Sequence, residues 1–142
     1  MQYRRILVPL AGASVDADVI RIAVNLAKPT RAEILGVHVI EVRWNMALDA
    51  VLEAETEKGE ILLEEATKMA AQAGAKIETE LLQARDAAAA IIDTARDRDV
   101  DLIVLGMPYR RRLGHTYVGQ TVESVYLGAH CAVLAYRQEE NK

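Results

Sequence analysis

The sequence predicts an α/β fold: a single doubly wound domain over residues 1–142, with a five-stranded parallel sheet and helices on both faces. Short segments rich in Val, Ile and Leu alternate with longer segments whose apolar residues recur at helical spacing. Hydrophobic residues make up 51% of the chain but aromatic residues only 4%. The core must therefore be built from aliphatic side chains, as is typical where helices pack closely on a parallel sheet.

The first half of the chain alternates strand, helix, strand and helix. We predict strands over residues 3–10 and 32–40, with a helix between them that starts after Ser14 and stops before Pro29. Ser14 is the expected N-cap of that helix, because its hydroxyl can accept a backbone N–H. A long helix is expected over residues 46–73, and Trp44 is expected to pack under it.

The second half continues the alternation. An edge strand is predicted over residues 76–82, and a helix over residues 87–98 is expected to be capped by Asp86. A buried strand over residues 102–105, a helix over residues 121–127 and a last strand over residues 130–136 follow. Regular strand–helix alternation implies parallel pairing throughout the sheet.

Two loops of this arrangement end strands at the same edge of the sheet. One spans residues 9–14, and the other runs from Gly106 through Gly119 to Gln120, directly before a helix. A strand that leads into a glycine-bearing loop and then a helix N terminus is typical of phosphate-binding sites. Because ligands of such sheets bind beyond the carboxyl ends of the strands, we expect both loops to line one crevice.

The chain resembles the universal stress protein family. The resemblance is carried by four segments, residues 5–9, 35–40, 101–106 and 129–134. Gly106 and Gly119 also match the first and last glycines of the family's ATP-binding signature in their spacing. The resemblance implies strand order 3-2-1-4-5 and a homodimer paired through the last strand, residues 131–136, whose edge would otherwise be exposed.

The resemblance also implies a set of candidate contacts to ATP or AMP. Val39 matches the strand end that contacts adenine in the family. The full set of candidates is Pro9, Leu10, Ala11, Val39, Gly106, Met107, Tyr109, Gly119, Gln120 and Thr121.

Three positions depart from the family pattern. Tyr109 replaces the middle glycine of the signature, Gln120 replaces its Ser or Thr, and Ala11 stands where ATP-binding members carry Asp. We therefore expect a degenerate nucleotide site, with ATP binding in the usual family mode weakened. The alternative is a functional ATP or AMP site with compensating contacts. Tyr109 would either stack on a base or cover its own apolar neighbours.

The loop also carries the chain's densest cationic cluster, Arg110, Arg111 and Arg112. These arginines could bind a phosphate, a carboxylate ligand or an acidic partner surface. Alternatively, they form a solvated loop whose charge balances the acidic helix at residues 53–65. This form of the loop resembles members fused to, or encoded beside, transporters, so a transporter is a candidate regulated partner.

Composition and spacing argue against several other classes of protein. The net charge of -4 argues against nucleic acid as a partner, and the longest apolar runs are too short to insert in a membrane. A single cysteine, Cys131, excludes an internal disulfide and indicates a cytoplasmic location. We expect no metal site, because no His, Cys or Asp ligands recur at suitable spacing. The prediction is a regulatory module rather than an enzyme, with slow ATP hydrolysis the weakest alternative.

Overall fold

Five parallel strands form the central sheet of the computed structural model. The structure describes residues 2–108, 111–112, 115–116 and 118–140. For residues 111, 112, 115 and 116 it describes the backbone only. The strands are β1 (Arg5–Pro9), β2 (Glu33–Glu41), β3 (Glu78–Ala84), β4 (Leu102–Met107) and, at the end of the chain, β7 (Ala132–Arg137). Their order is β3-β2-β1-β4-β7, which confirms the predicted 3-2-1-4-5 arrangement and the parallel pairing.

Four helices cover the two faces of this sheet: α1 (Val15–Ala27), α2 (Glu53–Gln72), α3 (Ala87–Asp97) and α4 (Gln120–Gly128). Successive residues of a strand point to opposite faces, and β1 shows the consequence. Ile6 and Val8 pack with α1 and α2, whereas Leu7 packs with α3 and α4. The sheet therefore separates two aliphatic core layers, and the prediction of helices on both faces is confirmed.

The link between β4 and α4 differs from the sequence prediction at its start. β4 continues through Gly106 and Met107, so the loop begins at Pro108 rather than at Gly106. Two short strands, β5 (Arg111–Arg112) and β6 (His115–Thr116), pair antiparallel within this link and were not predicted.

The long second helix was predicted to begin too early. It starts at Glu53 instead of residue 46, and residues 43–52, which we call the Trp44 loop, are irregular. Gln83 and Arg85 explain the difference, because their side chains bind backbone carbonyls of the loop that a helix would use internally. The prediction that Trp44 packs under the helix was also wrong, since its side chain is 82% exposed.

The two predicted helix caps had different outcomes. Asp86 accepts a hydrogen bond from the backbone N–H of Ala89 at 3.2 Å, which confirms it as the cap of α3. Ser14 does not cap α1, because its backbone is already helical (φ -59°, ψ -25°) and its hydroxyl bonds the Gln138 side chain instead.

Gly106 allows α1 to pack closely on β4. A Cβ atom built there would lie 2.6 Å from Val19 Cγ1 and 2.8 Å from Val15 Cγ2, well inside van der Waals contact. Both valines are buried, so neither side chain can move into solvent. The close approach holds the start of α1 against the end of β4, where the predicted crevice lies.

We predict that Gly106→Ala lowers the free energy of unfolding by about 1–3 kcal/mol, because the added methyl group overpacks this contact. Gly119→Ala is the matched control, since a Cβ at Gly119 would meet nothing within 4 Å and its φ of -62° suits any residue. Urea unfolding measures both. Equal losses in the two variants would contradict this role for Gly106.

Candidate functional site

The two predicted loops meet at one crevice at the carboxyl edge of the sheet. β1 and β4 are neighbours there, and their chains continue to opposite faces, which makes this the switch point of the sheet. The cavity has a volume of about 350 Å³. Its lining includes the described candidates Pro9, Leu10, Ala11, Val39, Gly106, Met107, Gly119, Gln120 and Thr121.

The walls of this crevice are mostly aliphatic. Val37 and Val39 of β2 contribute one side, and Ala87 and Ile91 of α3 lie beside them. Leu105 lines the cavity from β4. Such walls suit the flat apolar faces of a heterocycle better than a highly charged ligand.

The first turn of α4 supplies the polar end of the crevice. Gly119 is the N-cap of this helix and is extended, with ψ 149°, and as a glycine it has no side chain with which to cap the turn. The N–H groups of such a turn carry partial positive charge and favour an anion. The space beside the Gly119 Cα is open, in contrast to the packed surroundings of Gly106. Of the two signature glycines, Gly119 therefore leaves room for a ligand, and Gly106 serves the packing of α1.

The three residues that depart from the family pattern, Ala11, Tyr109 and Gln120, lie in different parts of the chain. Ala11 and Gln120 both border the crevice and are exposed, so their side chains are available to a ligand. Tyr109 and Arg110 lie outside the described residues. Arg111 and Arg112 form β5, and nothing is described of their side chains.

Asp16 shapes the loop after β1, a role that the sequence pattern did not predict. Its carboxylate accepts hydrogen bonds from the backbone N–H of Ala11 at 3.2 Å and of Gly12 at 2.8 Å. Asp16 is only 8% exposed. The N–H groups of Ala11 and Gly12 are therefore already hydrogen-bonded within the protein. The one signal in the sequence was an acidic residue placed within reach of a short glycine-bearing turn.

Burial raises the pKa of the Asp16 carboxyl above its ordinary value, although the loop N–H bonds and the nearby His38 act in the opposite direction. His38 also lines the crevice, and its Nδ1 lies 2.8 Å from the Leu10 carbonyl oxygen. Because a carbonyl can only accept, Nδ1 carries the proton. His38 was predicted only as a strand residue, and its contact with the first loop depends on the pairing of β1 with β2.

A second cavity, of about 410 Å³, lies on the other side of the first loop. It opens between α1 and α2 and is lined by Asp16, His38 and Lys58, among others. Since it does not adjoin the β4–α4 link, we assign the candidate site to the first crevice. The loop after β1 and His38 form the partition between the two cavities.

Over the described part of the chain, no group of three His, Cys, Asp or Glu side chains is placed to hold a metal ion, and no helix is long and apolar enough to cross a membrane. Cys131 is partly buried, and this burial raises the pKa of its thiol, which disfavours the nucleophilic thiolate.

Comparison with known proteins gives the family. A profile of the universal stress protein family matches residues 2–137. The chain is also 31% identical over 146 residues to a universal stress protein of Methanocaldococcus jannaschii, a match that covers 99% of this chain and 85% of the relative. The chain belongs to the universal stress protein family. It is therefore a member of a family of stress-response proteins.

A further relative of this universal stress protein is a membrane transporter. The chain is 33% identical over 90 residues to the Na⁺/H⁺ antiporter NhaS5 of Synechocystis sp.. This match covers 63% of the chain but only 13% of the antiporter. The similarity thus concerns a small part of a much longer protein.

Solved structures of the family share the fold. Universal stress protein UspA from Lactobacillus plantarum is 25% identical with a TM-score of 0.78, over 95% of this chain and 98% of that one. The universal stress protein from Archaeoglobus fulgidus in complex with dAMP is 22% identical with a TM-score of 0.75, again over 95% and 98%. Other family structures contain cAMP or, in a protein of Arabidopsis thaliana, AMP.

We predict that Asp16 makes stability depend on pH in a defined direction. Because its folded-state pKa is raised, its stabilising contribution is complete below about pH 3.8 and is lost as pH rises through the raised value. The stability of wild type relative to Asp16→Asn should therefore fall as the pH rises from about 3.8 through the raised pKa, and level off above it. Chemical denaturation at several pH values measures this difference, with Asp18→Asn in the same helix turn as control. A difference that is constant with pH would contradict the prediction.

Proposed function

We propose that this universal stress protein is a non-catalytic, cytoplasmic regulatory module. Its crevice binds adenine nucleotides more weakly than the crevice of a family member with the complete ATP-binding signature. The observation that carries the proposal is the convergence of the loop after β1 and the first turn of α4 on one apolar-walled crevice. The bound dAMP, AMP and cAMP of family structures support an adenine nucleotide as the ligand class.

Weak binding follows from the groups that the crevice lacks. Ala11 offers no carboxylate, and the Asp16 carboxylate is turned to the loop's own N–H groups. Gln120 offers no hydroxyl at the first turn of α4. One neutral hydrogen bond is worth about 0.5–1.5 kcal/mol and one to a charged group about 1.5–3 kcal/mol, so both losses weaken binding roughly 30-fold to 2,000-fold.

The chemistry of the lining supports a non-catalytic role. Among the described lining residues, His38 is the sole ionisable side chain, and because its Nδ1–H is bonded to the Leu10 carbonyl, Nε2 is the nitrogen left to act as a base. Rapid hydrolysis of a phosphate ester would also call for an acid or a metal ion, and the described lining supplies neither an acid nor a set of ligands for a metal. The signal would instead be conformational. A ligand that contacts Gly119 and Thr121 stabilises one position of the first turn of α4, and a partner reads that position.

We also propose a homodimer formed through β7. This strand is the outermost of the sheet beside β4, and Leu134 on it is 39% exposed. Tyr126 and Leu127 of α4, which packs on β7, are exposed as well, at 59% and 75%. Pairing of two copies would cover both the open backbone edge and this apolar surface.

The second candidate function is ordinary high-affinity ATP or AMP binding coupled to control of a membrane transporter. The preformed crevice favours it, and the match to part of a Na⁺/H⁺ antiporter supports ion transport as the regulated process. The two candidates differ in affinity, so a single titration series separates them.

We predict that isothermal titration with ATP and AMP gives only weak binding, and that the double variant Ala11→Asp with Gln120→Ser tightens it by about 30-fold to 2,000-fold. Gly119→Val should abolish binding in both backgrounds, because its side chain fills the open space beside α4. Sub-millimolar ATP binding by the native chain that the double variant does not improve would support the second candidate. No binding by any variant would reject a nucleotide site.

We predict that Leu134→Arg converts the dimer to a monomer, because a charge at the centre of the paired strands cannot be buried at low cost. Leu26→Arg is the matched control, since Leu26 is exposed to a similar degree (36%) on α1. Light scattering at micromolar concentration gives the mass of each. A monomeric wild type, or dissociation by both variants, would contradict the β7 interface.

A further inference from the structure

The Trp44 loop presents an unusual amount of apolar surface. Trp44 is 82% exposed and Val51 83%, and Leu48 and Met46 are 48% and 38% exposed. Single exposed apolar residues are ordinary on protein surfaces, but several within one short segment indicate an interaction site. This surface lies outside both cavities described above.

Side chains of the edge strand β3 and the residue after it hold the loop in one shape. Gln83 Nε2 donates to the carbonyls of Leu48 at 3.0 Å and Ala50 at 3.1 Å. Arg85 donates to the carbonyls of Arg43 at 2.5 Å and Met46 at 2.8 Å. The loop is therefore organised before any partner arrives, which reduces the conformational entropy lost on binding.

Arg85 also fixes the side chain at the centre of this surface. Its guanidinium lies 5.0 Å from the centroid of the Trp44 ring, within the range of a cation–π contact. One face of the indole is thus covered while most of its surface stays open to solvent. Large aromatic side chains held in this way are the usual anchors of protein interfaces.

The charges around the loop select the partner. Residues 41–58 carry five acidic side chains, Glu41, Asp49, Glu53, Glu55 and Glu57, against two basic ones, Arg43 and Lys58, and all seven are exposed. Arg85 over Trp44 adds a third basic side chain, so the acidic ones still prevail. An excess of acidic side chains beside an apolar surface attracts a basic partner and repels an acidic one. Anionic lipid and a second copy of this loop are both disfavoured on that ground.

We propose that the Trp44 loop is a docking surface for a basic, apolar polypeptide segment of a partner protein, such as an amphipathic helix bearing Leu and Lys. The end of β2, which leads into the loop, contacts the crevice, because Glu41 accepts a hydrogen bond at 2.9 Å from the backbone N–H of Ala87, which lines the crevice. Docking itself is independent of nucleotide binding. A crevice that binds nothing would leave this proposal intact.

Trp44 is the single tryptophan of the chain, so its fluorescence reports on the surface directly. The probe is a synthetic amphipathic peptide of Leu and Lys without Trp. We expect it to shift the Trp44 emission to shorter wavelength, to protect it from acrylamide quenching, and to saturate. A peptide with Glu in place of each Lys is the matched control and should leave the emission unchanged.

Variants of the loop separate its two components. The double variant Leu48→Ser with Val51→Ser should weaken Leu–Lys peptide binding about tenfold or more, whereas Leu26→Ser on α1 should not change it. Glu53→Lys with Glu55→Lys, a pair of exposed positions whose charge can be reversed without disturbing the core, should exchange the preference between the two peptides. Thermal unfolding followed by circular dichroism checks that each variant is folded.

Four results would overturn the proposal. They are no emission change with the Leu–Lys peptide, an equal change with the Leu–Glu peptide, a comparable change with phosphatidylglycerol vesicles, and a shift that depends on the concentration of the protein alone. The last two would assign the surface to a membrane and to a second copy, respectively.

Discussion

The close approach of α1 to β4 at Gly106 is the contact on which the site depends. Because Gly106 has no Cβ, Val15 and Val19 pack directly against β4 at this position, and the start of α1 lies at the carboxyl edge of the sheet. The loop that joins β1 to α1 must then bend sharply, and Gly12 takes a φ of 80° to do so. The crevice exists because this bend faces the first turn of α4 across the end of β4.

Asp16 then determines what that bend can offer to a ligand. By accepting the N–H groups of Ala11 and Gly12, it leaves the loop with few donors for an anion. Among the described residues, we therefore expect the first turn of α4, whose N-cap Gly119 has no side chain, to contact a negatively charged group. The apolar contribution comes from the opposite wall, on β2 and α3. The crevice thus has one polar end and one hydrophobic end, which is the distribution that a nucleoside with a short phosphate tail would need.

Local pattern predicted the elements whose causes are local. Aliphatic runs bounded by turn residues gave all five sheet strands, and Asp86 was recognisable as a cap because its side chain acts three residues ahead. The resemblance to a known family supplied the strand order and the two converging loops. The early start predicted for α2 failed because Gln83 and Arg85, distant in sequence, compete for the carbonyls of the Trp44 loop. The role of His38 was missed for the same reason, since its contact with Leu10 depends on the pairing of β1 with β2. Asp16 was missed although its partners are local, because its hydrogen bonds depend on the geometry of the turn at Gly12.

The two core layers on opposite faces of the sheet affect how substitutions can accumulate in this protein during evolution. The crevice borders mainly the layer built by α3 and α4, whereas α1 and α2 pack in a layer of their own. Substitutions in separate layers share few neighbours, so their effects on stability should add almost independently. Substitutions in α3 and α4 could therefore change the ligand preference during evolution, while the core layer of α1 and α2 continues to stabilise the fold.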